Sequence, residues 1–392
     1  MLQRIRHLRN DERGFSIIFV SLCFMAFLAA TTLAIDVGML MTARTQLQNA
    51  ADAGALAGAT GLAFNSFTDH SASGPAVTGA INAARANLVI AQAPSVTSAD
   101  VTFPLDPITG QYDRVQVWAQ RTQARGNPVG TLMAEIFGIR TVDVNATATA
   151  AAVAANAEIC VMPLTIPDKW IEKQCATETC PWSPADTFER YDSAGNLLAN
   201  PDVYVPPGQT DATPTGYNPD TDKGLQLVLK NNNGTAVAPS MYNPWDLPGS
   251  VGGNDYRNNI ANCNPNLVKL GDMMTPENGN MVGPTQQGTN DLVGQDSNAY
   301  WDTACNCVKG SAFPVSPRIR IVPLYDPSVY QLGRQTGKSG PQLQVVNYLG
   351  FFIESINGGG QVIGRITPIL GKFVGGGGPP IGGFARVLML VQ

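Results

Sequence analysis

Residues 15–35, FSIIFVSLCFMAFLAATTLAI, contain no charged side chain. A helix rises 1.5 Å per residue, so this run is about 30 Å long, the thickness of a bilayer's hydrocarbon core. Its flanks are unequal. Arg4, Arg6, Arg9 and Arg13 precede it against Asp11 and Glu12, whereas Asp36 and a single arginine, Arg44, follow it closely. Positive charge stays on the cytoplasmic side, so residues 1–14 are expected in the cytoplasm and everything after about 36 across the membrane. A cleaved secretory signal would have an apolar core of only about 7–15 residues ending at a small-x-small site. The longer run favours a retained anchor, although Ala29, Ala30 and Ala34 supply small residues near its end. No second stretch is long and apolar enough to span, because the C-terminal hydrophobic segments are short and broken by glycine.

Composition narrows the rest. Charged residues make up 14% of the 392-residue chain, well below an ordinary soluble protein's roughly 25%, yet 44% is hydrophobic. That excludes a charge-rich disordered tail and a coiled-coil rod. A net charge of −5 leaves no basic footprint for nucleic acid. Histidine occurs only at His7 and His70, which makes a multi-histidine metal site or a histidine-based active site hard to build.

Helix signals continue past the membrane. Residues 37–63, VGMLMTARTQLQNAADAGALAGATGLA, lack proline and are dominated by Ala, Leu, Gln and Met. Ala50, Gly54 and Gly58 recur every four residues, as do Ala51, Ala55 and Ala59. Small residues on one helical stripe let another backbone approach closely. Two partners fit that stripe: the protein's own exported domain, or another copy or related subunit.

The stretch RGFSIIF (13–19), the apolar run, AIDVG (34–38) and QLQNAADAGALAGA (46–59) together resemble the N-terminus of TadG-like proteins, the TadE/TadG-type Flp pilus-assembly components of the tight-adherence system. The resemblance covers about 50 residues. It implies a bacterial inner-membrane protein with a periplasmic or surface-facing domain, whose partners are the lipid bilayer and other pilus-assembly or pilin-like subunits, or itself. Type IV prepilins are cut between Gly and a residue such as Phe, with Glu at the fifth mature position. Gly14-Phe15 fits the cut, but the fifth residue is Phe19, so processing is not expected.

The exported part divides in two. NSFTDHSASGP (65–75) is a turn-rich break, after which Val77, Ala80, Ile81, Ala84 and Leu88 fall on one helical face. RVQVWAQR (114–121) alternates as a half-buried strand does, and VDVNATATA (142–150) alternates again. Asn127-Pro128 predicts a short helix carrying Val129, Leu132, Met133, Ile136 and Phe137, closed by Gly138. Residues 66–156 therefore read as a small α+β region. Beyond 157, Asn, Pro and Gly turns dominate, and six cysteines appear: Cys160, Cys175, Cys180, Cys263, Cys305 and Cys307. An even six in an exported, loop-rich region predicts up to three disulfides with fifteen pairings open. Cys23 stands alone in the span. Strand-like runs at 318–325, 342–354, 361–369 and 384–391 predict a closing β-meander. CVMPLTIPDKW (160–170) and GFFIES (350–355) are similar to Cys-bearing extensions of some TadG-like proteins.

Other apparent motifs fail on spacing. Gly333-Arg334-Gln335-Thr336-Gly337-Lys338-Ser339 imitates a phosphate loop with one residue too few, so no nucleotide is expected. GKFVGGGGPPIGG (371–383) has no following helix to make a phosphate cradle. Asp69-His70-Ser71-Ala72-Ser73 has the D-x-S-x-S order of a metal-dependent adhesion site but follows an Ala-rich helix rather than a buried strand, and reads as a turn. Asp220-Thr221-Asp222-Lys223-Gly224 starts like a Ca²⁺ loop, yet position twelve is Asn231 rather than Glu. Cys175-x4-Cys180 and Cys305-x-Cys307 lack zinc-ribbon spacing, and an oxidising compartment favours disulfides. The sequence supports no catalytic constellation, cofactor or metal site.

The fold expected is thus α+β: a transmembrane helix (15–35) continuing into an Ala-rich extracytoplasmic helix (36–65), a small α+β region (66–156), and a β-rich, loop-rich, disulfide-containing region (157–392). The expected role is a membrane-anchored structural or assembly component of Flp pili, docking through Ala50, Gly54 and Gly58. The alternative is an anchored surface adhesin or Ca²⁺-dependent ligand-binding protein. An envelope hydrolase is disfavoured by the histidine count.

Overall fold

The computed structural model describes residues 13–391 except 176–179, 209–212, 233–235, 278, 280, 337–342 and 376–378. Arg4, Arg6, Arg9 and His7, on which the charge bias partly rests, lie outside the described residues.

One helix, α1 (Arg13–Phe64), runs unbroken for 52 residues. With no proline and few β-branched residues outside the apolar run, nothing in its sequence interrupts it. It changes environment along its length. From Ser16 to Ile35 no side chain is buried, and mean hydropathy reaches 2.4 in the best window, which makes this half a candidate membrane span. From Asp36 onward one face goes under cover: Ala43, Leu47, Ala50, Ala51, Ala55 and Ala59 are fully buried.

What covers them is a four-stranded antiparallel sheet and a second helix, α2 (Pro75–Ala86). The sheet runs β1 (Val101–Thr102), β2 (Arg114–Arg121), β3 (Val144–Ala154) and, at its far edge, the last strand of the chain, β11 (Arg386–Val391). Strand β2 keeps its expected alternation through Ala119, with Val115, Val117 and Ala119 buried and Trp118 exposed, but Gln120 and Arg121 at its end are buried too, held by hydrogen bonds to Asp100 and to the Val89 carbonyl. Val77, Ala80 and Ala84 of α2 are buried, but the helix ends at Ala86 and leaves Leu88 exposed. The helix expected after Asn127-Pro128 does not form. Val129–Gly130 and Thr141–Val142 pair as a short hairpin, and only a 3₁₀ turn, Ala134–Phe137, forms at its tip.

The remainder builds a closed β-barrel. Its strands are β4 (Leu164–Pro167), β5 (Gln226–Asn231), β6 (Met241–Asp246), β8 (Ile319–Tyr325), β9 (Leu343–Ile356) and β10 (Val362–Ile366), with β7 (Met273–Pro276) bridging β6 and β9. Around the ring the order is β9, β8, β4, β6, β5, β10 and back to β9. Closure leaves no unpaired edge. The 14 residues of β9 make it possible, since one strand pairs β7 and β8 along its first part and β10 along its last.

The expected meander is therefore real only for β8, β9 and β10. The chain then leaves the barrel, and Arg386–Val391 pairs with Ala154–Thr149 of β3. Among the described residues, helices also occupy the region read as loops: a single turn at Pro219–Asp222 and the longer α3 (Gly252–Ala261), α4 (Val282–Gln295) and α5 (Pro327–Thr336). The Asn- and Gly-bearing sequences of α3 and α4 have weak intrinsic helix propensity, and tertiary packing overrides it. Tyr256, Ile260 and Leu292 join Leu164, Ile166, Leu229, Val322, Leu349 and Phe351 in one buried cluster.

Candidate anchoring and docking site

The seam between α1 and the exported domain is made of missing side chains. A Cβ on Gly54 would stand 3.0 Å from the Ala80 carbonyl oxygen and 3.0 Å from Ala84 Cβ. On Gly58 it would stand 2.6 Å from Val115 Cγ1 and 3.3 Å from the Ala76 carbonyl. On Gly61 it would meet Ala76 Cα at 2.6 Å and its nitrogen at 2.8 Å, closer than real Cβ atoms come to backbone. Ala50 is fully buried on the same side. At Gly54 and Gly58 the stripe read from four-residue spacing thus faces α2 and β2 of the same chain. Gly61 extends it, and the i+3 step from Gly58 is the signal that could have found it.

Polar residues of the 46–59 motif fix the register of the seam. Gln46 Oε1 accepts the Ile90 amide at 2.8 Å, where Ile90 and Ala91 adopt positive φ in a tight turn. Gln48 Nε2 donates to Asp52 at 2.9 Å and to the Thr147 carbonyl at 3.2 Å.

At the membrane end, Asp36 is 3% exposed and points at the 3₁₀ turn. Its carboxylate accepts the backbone amides of Leu132 at 2.9 Å, Met133 at 3.1 Å and Ala134. A carboxylate suits the unpaired amides at a helical start, both as acceptor and as negative charge. The aspartate in AIDVG thereby ties the hairpin tip to the helix just where the uncharged run ends, a contact between residues nearly 100 apart that local patterning cannot reveal.

The opposite end of α1 is bound to the barrel side of the chain. Lys223 Nζ donates to the Phe64 carbonyl at 2.9 Å, and burial lowers the affinity of this amine for its proton. Asp220 accepts the amides of Phe67 at 2.7 Å and Thr68 at 3.1 Å, plus the Thr68 hydroxyl at 2.9 Å. Asp222 takes the Asn218 amide at 2.8 Å and pairs with Lys169. Of the acidic residues that imitate a Ca²⁺ loop, Asp220 is thus committed to joining the two halves of the structure, and Asp222 to contacts within the barrel side. Arg386 lies over the Phe67 ring at 4.1 Å, and burial brings its guanidinium down to about 10. Nearby, burial, reinforced by Asp106, pushes the Asp113 carboxyl up to about 6 against the pull of Arg114 and Arg386. A cavity of about 490 Å³ opens over this junction.

His70 is structural. Its ring stacks on Phe103 at 4.2 Å, and Nε2 lies 3.1 Å from the Phe67 carbonyl. Asp69 Oδ1 accepts the Ser71 amide at 3.0 Å, closing a turn. Among the described residues, no group of three or more His, Cys, Asp or Glu side chains is placed to hold a metal ion. Gly337, Lys338 and Ser339 of the phosphate-loop mimic, and residues 376–378 of the glycine run, lie outside the described residues.

The cysteines join as Cys160–Cys263, Cys175–Cys180 and Cys305–Cys307. The first closes a loop of 103 residues and ties the entry of the barrel to the end of α3, where the Cys160 amide also donates to the Asn264 carbonyl at 2.9 Å. Cys23 is free and exposed within the apolar half of α1.

Residues 14–61 match the Tad family model, described as "Putative Flp pilus-assembly TadE/G-like". The match begins next to the start of α1 and ends at Gly61, so it covers the apolar half, Asp36 and the glycine seam, and stops before α2. It is a match to an assembly family rather than an enzymatic one. No curated protein and no solved structure significantly matches the chain.

Proposed function

We propose that this chain is a single-pass, membrane-anchored structural component of Flp pilus assembly, working through protein–protein contacts of its exported domain. The observation that carries the reading is the coincidence of the family match at 14–61 with one helix that buries no side chain from Ser16 to Ile35 and is packed over its Ala- and Gly-rich half. The arginine bias before the span supports a cytoplasmic N-terminus and an exported remainder. In this reading Ala50, Gly54 and Gly58 dock α1 onto its own domain, making anchor and domain one lever. Partners then meet the barrel and the outer faces of the sheet, and three disulfides suit an oxidising compartment.

The test is twofold. Deleting the gene in the source bacterium should abolish or shorten surface Flp pili, and the full-length gene should restore them. Cysteines placed at Ile108 in the intact chain should react with a membrane-impermeant maleimide from outside the inner membrane. Normal piliation in the deletion strain would refute the assembly role. Labelling of Ile108→Cys only after the inner membrane is opened would refute the topology.

A further inference from the structure

The loop at the tip of the 129–142 hairpin, which contains the 3₁₀ turn, carries Leu132, Ile136, Phe137 and Ile139, exposed by 63%, 75%, 65% and 53%. Isolated exposed apolar residues are ordinary, but four on one short loop make a patch. Its position distinguishes it from a chance cluster. Asp36, the first residue beyond the uncharged run, holds the amides of Leu132, Met133 and Ala134. The turn therefore lies within a few ångströms of the level at which α1 leaves the bilayer. Val37 and Met41, exposed by 45% and 69%, continue the apolar surface along α1 itself.

We propose that residues 131–140 form a second membrane contact, an apolar wedge seated in the headgroup and upper acyl region of the same bilayer that α1 spans. The proposal rests on the anchor reading above. Continuity with the span selects lipid as the occupant, and the backbone agrees. Polar backbone groups entering a low-dielectric layer must be paired. Here Asp36 takes three amides, Thr131 donates to the Arg140 carbonyl at 3.0 Å, and Ile136, Gly138 and Ile139 donate within the turn at 3.1, 2.9 and 3.1 Å. The two charges in the segment, Glu135 and Arg140, lie 3.6 Å apart, and Arg140 is 81% exposed with a stem long enough to reach headgroups. Interfacial segments of this kind sink about 5–10 Å. Two attachment points would fix the tilt of the exported domain on the membrane, which one helix alone leaves free to swivel.

The test uses the full chain with Cys23→Ser, reconstituted in vesicles of zwitterionic and anionic phospholipid. An environment-sensitive fluorophore is attached at Ile136→Cys, with Phe24→Cys and Ile108→Cys as separate reference proteins. Phe24 is 60% exposed in the middle of the span, and Ile108 is 73% exposed on a loop of the exported domain. The label at 136 should emit to the blue of the label at 108. It should be quenched more by a spin label high on the acyl chain than by one near its end, with the preference reversed at 24. If 24 is quenched while 136 matches 108, the wedge is refuted and the anchor stands. If neither is quenched, both fall. Efficient crosslinking between copies through 136, with no lipid quenching, would assign the patch to a second copy and overturn the proposal.

Discussion

Gly61→Ala adds one methyl group where the structure has room for none. The new Cβ would stand 2.6 Å from Ala76 Cα and 2.8 Å from Ala76 nitrogen, both backbone atoms of the first turn of α2, which cannot rotate away. Gly58→Ala would meet Val115 Cγ1 at 2.6 Å, a side-chain atom with somewhat more freedom. Two effects oppose each other. In a helix interior alanine is favoured over glycine by about 1 kcal/mol. Overpacking a closed core costs about 1–3 kcal/mol, and the backbone clash puts Gly61 toward the upper end. The net expectation is a loss of about 1–2 kcal/mol for Gly61→Ala and somewhat less for Gly58→Ala. Gly38 supplies the internal control, because its Cβ would meet nothing within 4 Å on the same helix, leaving only the gain in propensity. Thermal unfolding of the full chain in detergent micelles, followed by near-ultraviolet circular dichroism, should then melt a few degrees lower for Gly61→Ala, and no lower for Gly38→Ala. Equal or raised melting temperatures for all three would refute the packed seam. Unchanged melting together with lost crosslinking between copies would instead place the glycine stripe at a partner interface.

Three further expectations follow from the same contacts. Burial pushes Glu158 up to about 8, and Asp113 and Asp168 to about 6; for Asp168 it outweighs hydrogen bonds from Tyr217, Lys169, Asn347 and Tyr204. Groups whose proton affinity rises on folding stabilise the fold fully at low pH and lose that contribution as pH climbs through the folded values. At about 1.4 kcal/mol per tenfold change, the three together favour pH 5 over pH 8 by on the order of 3–6 kcal/mol. Below about pH 4 the lowered carboxyls, such as Asp106 and Asp296, reverse the trend. A melting temperature that rises steadily from pH 5 to 8 would contradict this. Among the disulfides, loop-closure entropy makes Cys160–Cys263 worth about 4–5 kcal/mol, against about 2 for Cys175–Cys180 and about 1 for Cys305–Cys307. Paired Cys→Ser variants should rank in that order in denaturant, and an equal effect of all three would refute the ranking. Finally, Asp36→Ala should expose the Leu132, Met133 and Ala134 amides to faster hydrogen exchange while α1 still inserts; unchanged exchange would show that Asp36 does not hold the turn.

Local patterning carried the reading a long way where one element needs only itself. An uncharged run of bilayer length, a proline-free Ala-rich continuation and the alternation in 114–121 are properties of single segments; the first two appear as written in α1, and the alternation holds in β2 as far as Ala119, beyond which Gln120 and Arg121 are buried as well. The β-strand positions at 319–325, 343–356 and 362–366 were legible for the same reason. The apolar spacing of 127–138 suits a helix, but only Val129 reaches the core, Leu132, Met133, Ile136 and Phe137 stay exposed, and Asp36 takes the amides of Leu132, Met133 and Ala134. Helices α3 and α4 were missed because their helicity comes from Tyr256, Ile260 and Leu292 packing on the barrel, not from propensity.

Sequence alone thus determined that this protein has an apolar helix of membrane length, which side of it is charged, and that the helix carries a small-residue stripe, since these depend only on residue order and a 3.6-residue turn. Tertiary structure decided what the stripe faces, which cysteines meet, that the strands close into a barrel, and that the final strand returns to β3. Most of those outcomes depend on pairings between residues far apart in the chain, among them Gly58 with Val115, Cys160 with Cys263 and Thr149 with Val391. Such pairings are selected by mutual fit and closure, and no single segment encodes them.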